Sequence, residues 1–291
     1  MISARAAFGR EVTRLLDRHE DAALVWAEIG SRFFPQAIRN HPERVINVGI
    51  REQLLVSVGA GLALAGMRPI VHTFSSFLVE RAFEQIKLDF CHQGVGGVLV
   101  GTGGSFDGPT AGRTHQSPGD VALMDTLDAT IHAPGHPEEV AAVLRRALGS
   151  SGLHYVRLAE ERNALAFIEP GVHVVRRGAG PMVLVFGGLM DASLAATEHL
   201  DPTVLYATTV RPYDGSVLRE LIVSPEVIVI EPWLEGTSAR VVAEALSDRP
   251  VRLLALGVGR RELRRYGSHR EHLAAHGLDA KGLRGRIDAW L

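Results

Sequence analysis

Residues 46–65 read INVGIREQLLVSVGAGLALA, a β-branched, strand-like start that runs into a helical segment with Arg51 and Glu52 at the junction. From Glu52 to Ala65 the glutamate is the only ionisable side chain. A helix that is apolar on every side is normally buried, so this junction predicts a buried helix that begins with a carboxylate. Helix-dipole stabilisation of an exposed first-turn carboxylate is worth under about 1 kcal/mol and gives no reason for the apolar run behind it. A capping box would need Ser or Thr at position 49, which is Gly. A buried carboxylate needs a hydrogen-bonding or charged partner, or a proton. Glu52 is therefore a candidate for holding or moving a proton on a bound heteroaromatic nitrogen.

Outward from this junction, short apolar runs alternate with helical patterns. Segments 23–29, 68–74, 95–101, 129–133 and 153–159 read as strands; 4–19, 52–66, 76–92 and 136–149 read as helices. Such alternation predicts a mostly parallel sheet covered on both faces. After the Pro- and Gly-containing stretch 164–181, which has room for one extra strand, a second set follows. Its strands are expected at 182–188, 203–209, 226–232 and 252–258, and its helices at 191–200, 214–223 and 237–247. The expected fold class is α/β with two doubly wound domains: residues 1–165, a linker at 166–180, and a smaller domain at 181–291. Sheets of this kind bind ligands at the carboxyl ends of their strands.

The 291 residues are 46% hydrophobic and 22% charged, with a net charge of −2 and interspersed signs. Neither a nucleic-acid surface nor a membrane surface is expected from that balance. No run of about 18 apolar residues and no secretory signal is present, and the single cysteine, Cys91, lies in an apolar helical run. Cys91 reads as a packed thiol in a reducing compartment, and the expected location is cytoplasmic.

Phosphate-loop and dinucleotide motifs are absent, as are HExxH, CxxC and calcium-loop spacings, so no metal ligands are assigned to this chain. GTGGSFDG (101–108) is a glycine-rich loop without a following helix pattern. His72, His92, His115, His132 and His136 are scattered, and each alone reads more readily as a packed or surface histidine than as a ligand. In HTFSSFLVERAFEQIK (72–87), Phe74 and Phe77 lie three apart just after a strand end. Two such rings are ordinarily core. Beside Glu52 they also form candidate walls for a flat heterocycle.

NVGIREQ, the Gly-rich apolar helix, RPIVHTFSSFLVERAFEQI, and THQS followed by DVALM occur in the order found in the pyrimidine-binding domain of transketolases, which this chain resembles. EPWLEGTSARVVAEAL and YGSHREHLAAHGLDAKGLRGRI resemble the C-terminal domain of the same thiamine-diphosphate enzymes. The resemblance implies the C-terminal section of a split enzyme transferring a two-carbon ketol unit from a ketose to an aldehyde. Glu52 then matches the glutamate that hydrogen-bonds the aminopyrimidine N1′, Phe77 the ring stacked on the pyrimidine, and Phe74 the wall beside it. His115 matches the histidine that contacts the donor's oxygens. Arg5 and Arg157 match arginines that grip a sugar phosphate.

The likeness also has departures. The family's D-G-P-T-H becomes Ala111-Gly112-Arg113-Thr114-His115, so a sugar-contacting aspartate is an alanine and Arg113 is a candidate for an anionic group instead. The DGP at 107–109 is displaced by four residues. No GDG motif occurs, which places the diphosphate and Mg²⁺ site on an expected N-terminal-type partner subunit, in an α2β2 heterotetramer with the cofactor between chains. Alternatives sharing the cofactor are a deoxyxylulose-phosphate-synthase-like or acyloin-forming enzyme and a 2-oxoacid dehydrogenase β subunit; a non-catalytic partner subunit is the remaining one.

Overall fold

The computed structural model describes residues 2–291 as two β-sheets flanked by helices. The strands are β1 (Ala22–Trp26), β2 (Val45–Asn47), β3 (Arg68–Phe74), β4 (Gly97–Thr102), β5 (Thr130–His132), β6 (Leu153–Leu158), β7 (Val172–Arg176), β8 (Met182–Phe186), β9 (Thr203–Ala207), β10 (Thr209–Arg211), β11 (Glu226–Leu234) and β12 (Arg252–Val258). The first sheet has the order β10-β5-β6-β4-β3-β1-β2, and the second β12-β11-β8-β9-β7. All pairings are parallel except β10 with β5 and β7 with β9. Every residue of β1, β8 and β9 is buried, as expected for parallel strands covered on both faces. The architecture is the expected two-sheet α/β class.

β7 is the extra strand for which the 164–181 stretch has room, and it closes an edge of the second sheet. One short strand departs from the sequence pattern. β10 follows β9 after one residue yet crosses back to the edge of the first sheet, where Thr209 pairs with His132. At three residues it is too short to show a period, and only its tertiary pairing defines it. One apolar cluster accordingly runs through both sheets, from Leu99 and Tyr155 to Phe186 and Trp233.

The helix Glu52–Leu64 is buried within this chain on one face only. Leu55, Val56, Gly59 and Ala60 face inward, whereas Leu54 is 43% and Leu64 61% exposed. Gly59 permits the inward packing, because a Cβ there would lie 2.5 Å from Val71 Cγ2 on β3. The segment expected as one helix at 76–92 instead forms π-helical turns at Ser76–Arg81 and Ile86–His92 around an α-turn at Phe83–Gln85. Two C-terminal helices, His269–His276 and Ala280–Trp290, complete the second unit. Ser268 and Glu271 cap the first reciprocally. Among the described residues, no helix is long and apolar enough to cross a membrane.

Candidate active site

The carboxyl ends of β3, β4 and β6 deliver Phe74, Gly103 and Ala159 to one edge of the first sheet, where ligands of open α/β sheets bind. Glu52 sits at the start of its helix and is 2% exposed. Its Oε2 accepts a hydrogen bond from Arg81 Nη1 at 2.7 Å. The same guanidinium lies over the Phe77 ring, 4.0 Å from its centroid. Phe77 and Arg81 are four residues apart on the π-turn, a form often found at functional sites. An aminopyrimidine protonated at N1′ would present the same two features, a flat ring on Phe77 and an N–H toward Glu52. The residues present therefore fit the pyrimidine end of thiamine diphosphate, with Arg81 standing in its place.

Phe74 and His115 continue this slot. Phe74 meets Phe77 edge-on at 5.7 Å, and the His115 ring packs 5.0 Å from Phe74 and 4.9 Å from Phe77. His115 Nδ1 lies 2.9 Å from Thr114 Oγ1, and among the described residues Nε2 has no hydrogen-bond partner. Gly103 has φ +78°, and a Cβ there would come within 3.2 Å of the Phe74 ring. The glycine thus serves both the turn after β4 and the position of Phe74.

Beyond the Phe74–His115 wall opens a cavity of about 500 Å³, lined by Arg5, Arg32, Ala111, Glu160 and Arg162 among others. Arg5 stacks between Phe33 and Phe74, 5.2 and 5.8 Å from their centroids. Burial and then the neighbouring Arg32 charge lower its pKa, and its buried Nε has no hydrogen-bond partner. Two adjacent guanidiniums with an unpaired donor make this end of the cavity suited to an anion. Arg32 carries no distinguishing signal in the sequence, since only the turn after β1 brings it beside Arg5.

The structure corrects the position of two arginines. Arg157 is 2% exposed, with Nε donating to Asp120 Oδ2 at 2.9 Å and Nη2 bonded to Ser105 Oγ and the Pro232 carbonyl. It is an internal strut between the two sheets, because β6 carries it into the core rather than to the cavity. Arg162, five residues later in the loop, is the arginine that reaches the cavity lining. Arg113 lines a different cavity, facing the second unit, although His115 two residues on faces the first.

Asp107, at the edge of the same cavity, is committed to contacts within the protein. It is 3% exposed, accepts from the Glu160 amide at 2.8 Å, and lies 3.0 Å from His269 Nδ1. His269 Nε2 is 2.7 Å from Glu161 Oε2. Burial disfavours the charged ring, but Asp107 and Glu161 more than reverse this and raise its pKa to about 10. Asp107, Glu160 and His269 also bring ligand-type atoms within 4.8 Å of one another. A protonated ring offers no lone pair, so His269 is itself the cation of this cluster. His72, by contrast, is a core residue: burial drives its pKa to about 3, and Nδ1 lies 2.9 Å from the Val100 carbonyl. His136 caps the helix Pro137–Leu148.

Comparisons with known proteins give the family and the fold. The family model "Transketolase, pyrimidine binding domain" matches residues 1–166. The chain is 44% identical to an uncharacterized 33.6 kDa protein in the fasciation locus of Rhodococcoides fascians, over 98% of this chain and 94% of that one. It is 32% identical to the 1-deoxy-D-xylulose-5-phosphate synthase of Thioalkalivibrio sulfidiphilus over 86% of this chain, spanning 41% of the synthase. It is 28% identical to one of the subunits of the apulose-4-phosphate transketolase of Actinobacillus succinogenes, over 84% of each. Among solved structures, a split gene transketolase in an inactive beta4 tetramer superposes with a TM-score of 0.86 and 25% identity, over 99% of this chain and 98% of that chain. The chain belongs to the transketolase family and corresponds to its C-terminal-type subunit, with a pyrimidine-binding fold followed by a second α/β unit.

Proposed function

We propose that this chain is the pyrimidine-end subunit of a two-component, thiamine-diphosphate-dependent transketolase-like enzyme that moves a two-carbon ketol unit from a ketose to an aldehyde. The observation carrying this is the Glu52–Arg81–Phe77 arrangement, a flat N–H donor stacked on an aromatic ring and bonded to a buried carboxylate. Thiamine diphosphate, when bound, supplies the electron sink for breaking and making the C–C bond. Glu52 holds the proton at pyrimidine N1′, and Phe77 stacks on the ring once Arg81 has moved aside. Phe74 and His115 close the slot, and His115 gives or takes a hydrogen bond at the substrate oxygens. Arg5, Arg32 and Arg162 favour a substrate with a phosphate or other anionic group at the far end of the cavity.

The diphosphate and Mg²⁺ site belongs, in this proposal, to an N-terminal-type partner subunit. Exposed Ile50, Leu54, Leu64 and Leu88 support a docking face for that partner next to Glu52. The proposed assembly is an α2β2 heterotetramer. Ala111 in the cavity wall favours a second reading of the donor, since no carboxylate stands there to accept from a sugar hydroxyl. A pyruvate donor, as in a deoxyxylulose-phosphate-synthase-like enzyme, carries no sugar hydroxyl and meets that wall without losing a hydrogen bond.

The test mixes the chain with its partner subunit, Mg²⁺ and thiamine diphosphate, and follows carbon-unit transfer by mass spectrometry. Transfer from ketose phosphates or hydroxypyruvate is the expected result; transfer from pyruvate alone selects the second reading. No transfer from any of the three, with the assembled complex present, overturns both and leaves a non-catalytic subunit.

A further inference from the structure

A second cavity, about 530 Å³, is lined by residues of both units, and Glu52, Phe74, Phe77 and His115 are not among them. Arg113, Arg260, Arg261, Arg264, Arg265 and His272 line it. Among the described residues, none of these five guanidiniums has a salt-bridge or side-chain hydrogen-bond partner, and the lining carboxylates are Glu80 and Glu262 alone. Like charges gathered around one cavity repel one another, and an anion placed among them relieves that repulsion. His272 adds an independent sign of a ligand. It is 2% exposed, and its Nε2 is buried without a partner at the same cavity. A buried donor or acceptor left unpaired is costly, and a bound polar group would satisfy it.

The surroundings have the form of a binding site. Leu234 and Val258, at the carboxyl ends of β11 and β12, form its floor, the usual ligand edge of an open α/β sheet. Phe106 stacks at 5.4 Å on both His272 and His276, giving a flat wall. The segment 259–268 closes the cavity as a strap whose Arg264 holds a left-handed φ of +49°, a conformation uncommon for a residue other than glycine. Tyr266 of the strap packs on Gly112, where a Cβ would lie 2.7 Å from its ring, so the strap touches the loop that carries His115.

We infer that this cavity is a second anion site, for a small molecule bearing two or more phosphate groups held by the strap arginines, Arg113 and His272. Planar guanidinium forks match phosphate oxygens, and the volume is of small-molecule size. The inference does not depend on the thiamine reading, because none of these residues belongs to the Glu52 slot. The probes are inorganic pyrophosphate and inorganic phosphate, titrated calorimetrically into the purified 291-residue chain at low salt. Pyrophosphate is expected to bind more tightly than phosphate. The double variant Arg261→Ala/Arg264→Ala is expected to weaken it by at least about tenfold, while Arg39→Ala, exposed and outside both cavities, leaves it unchanged. Pyrophosphate should also slow tryptic cleavage at the strap arginines of the unmodified chain, which needs no variant to fold. Absence of pyrophosphate binding, loss with Arg39→Ala but not with the strap variant, or unchanged strap cleavage overturns the inference.

Discussion

Glu52 and Arg81 form a pair with unequal exposure, 2% against 42%. Removing Arg81 leaves a buried carboxylate without its cation, which would cost about 3–5 kcal/mol for a fully buried pair. Solvent around Arg81 screens the interaction, so Arg81→Ala is expected to lower stability by about 1–2 kcal/mol in urea denaturation. Because the guanidinium occupies the slot, the same variant should bind thiamine diphosphate more tightly in the assembled complex, and weaker binding would contradict the stand-in role. Glu52→Gln keeps the shape and removes the acid. Turnover of the complex should fall by at least about 100-fold with assembly intact, and near-normal turnover would sink the assignment.

At the scale of elements, the helix Glu52–Leu64 carries two faces with separate duties. Leu55, Val56 and Ala60 pack inward, and Leu54, Leu64 and the nearby Leu88 remain uncovered. Leu54→Glu is expected to shift the chain's own stability by no more than about 0.5 kcal/mol, as at other exposed sites. Light scattering of the variant mixed with the partner should show loss of the heteromer; an unchanged assembly would place the interface elsewhere. Phe77 and Arg81, four residues apart, share a face under α-helical spacing as well, whereas the meeting of that face with Glu52, 29 residues before Arg81, is set by tertiary packing.

Across the whole molecule, the two units are joined by polar struts as well as by apolar packing. Arg157, Asp120, Ser105 and the Pro232 carbonyl form one, and Glu139 with Tyr206 Oη, 2.8 Å apart, forms another. The His269 cluster is a third, and it makes stability depend on pH. Its folded pKa is about 10 against an ordinary 6.5. A raised base contributes fully below the unfolded value, and that contribution disappears as pH rises through the folded one. The melting temperature of the native chain should therefore exceed that of His269→Gln near pH 7 and converge on it toward pH 10 and above. A gap that stays constant with pH would show that the ring is not held protonated.

The sequence by itself determined the α/β class, the course of most strands and the oddity at Glu52. β3 and β12 run from the residues their patterns predict, 68–74 and 252–258, because burial on both faces writes continuous apolar runs into the chain. Glu52, Phe74 and Phe77 could be singled out because each departs from, or repeats within, a local pattern, whereas His115 was marked only by the family resemblance. Tertiary structure alone decided the partners. Arg81 for Glu52, Arg32 for Arg5, and His269 for Asp107 and Glu161 are contacts between distant segments with no shared period. It also decided which way an arginine faces: Arg157 and Arg162 are five residues apart, yet the strand buries one and the loop delivers the other. The physical reason is that periodicity records which side of an element is apolar, whereas charge pairing depends on where the folded chain brings the elements.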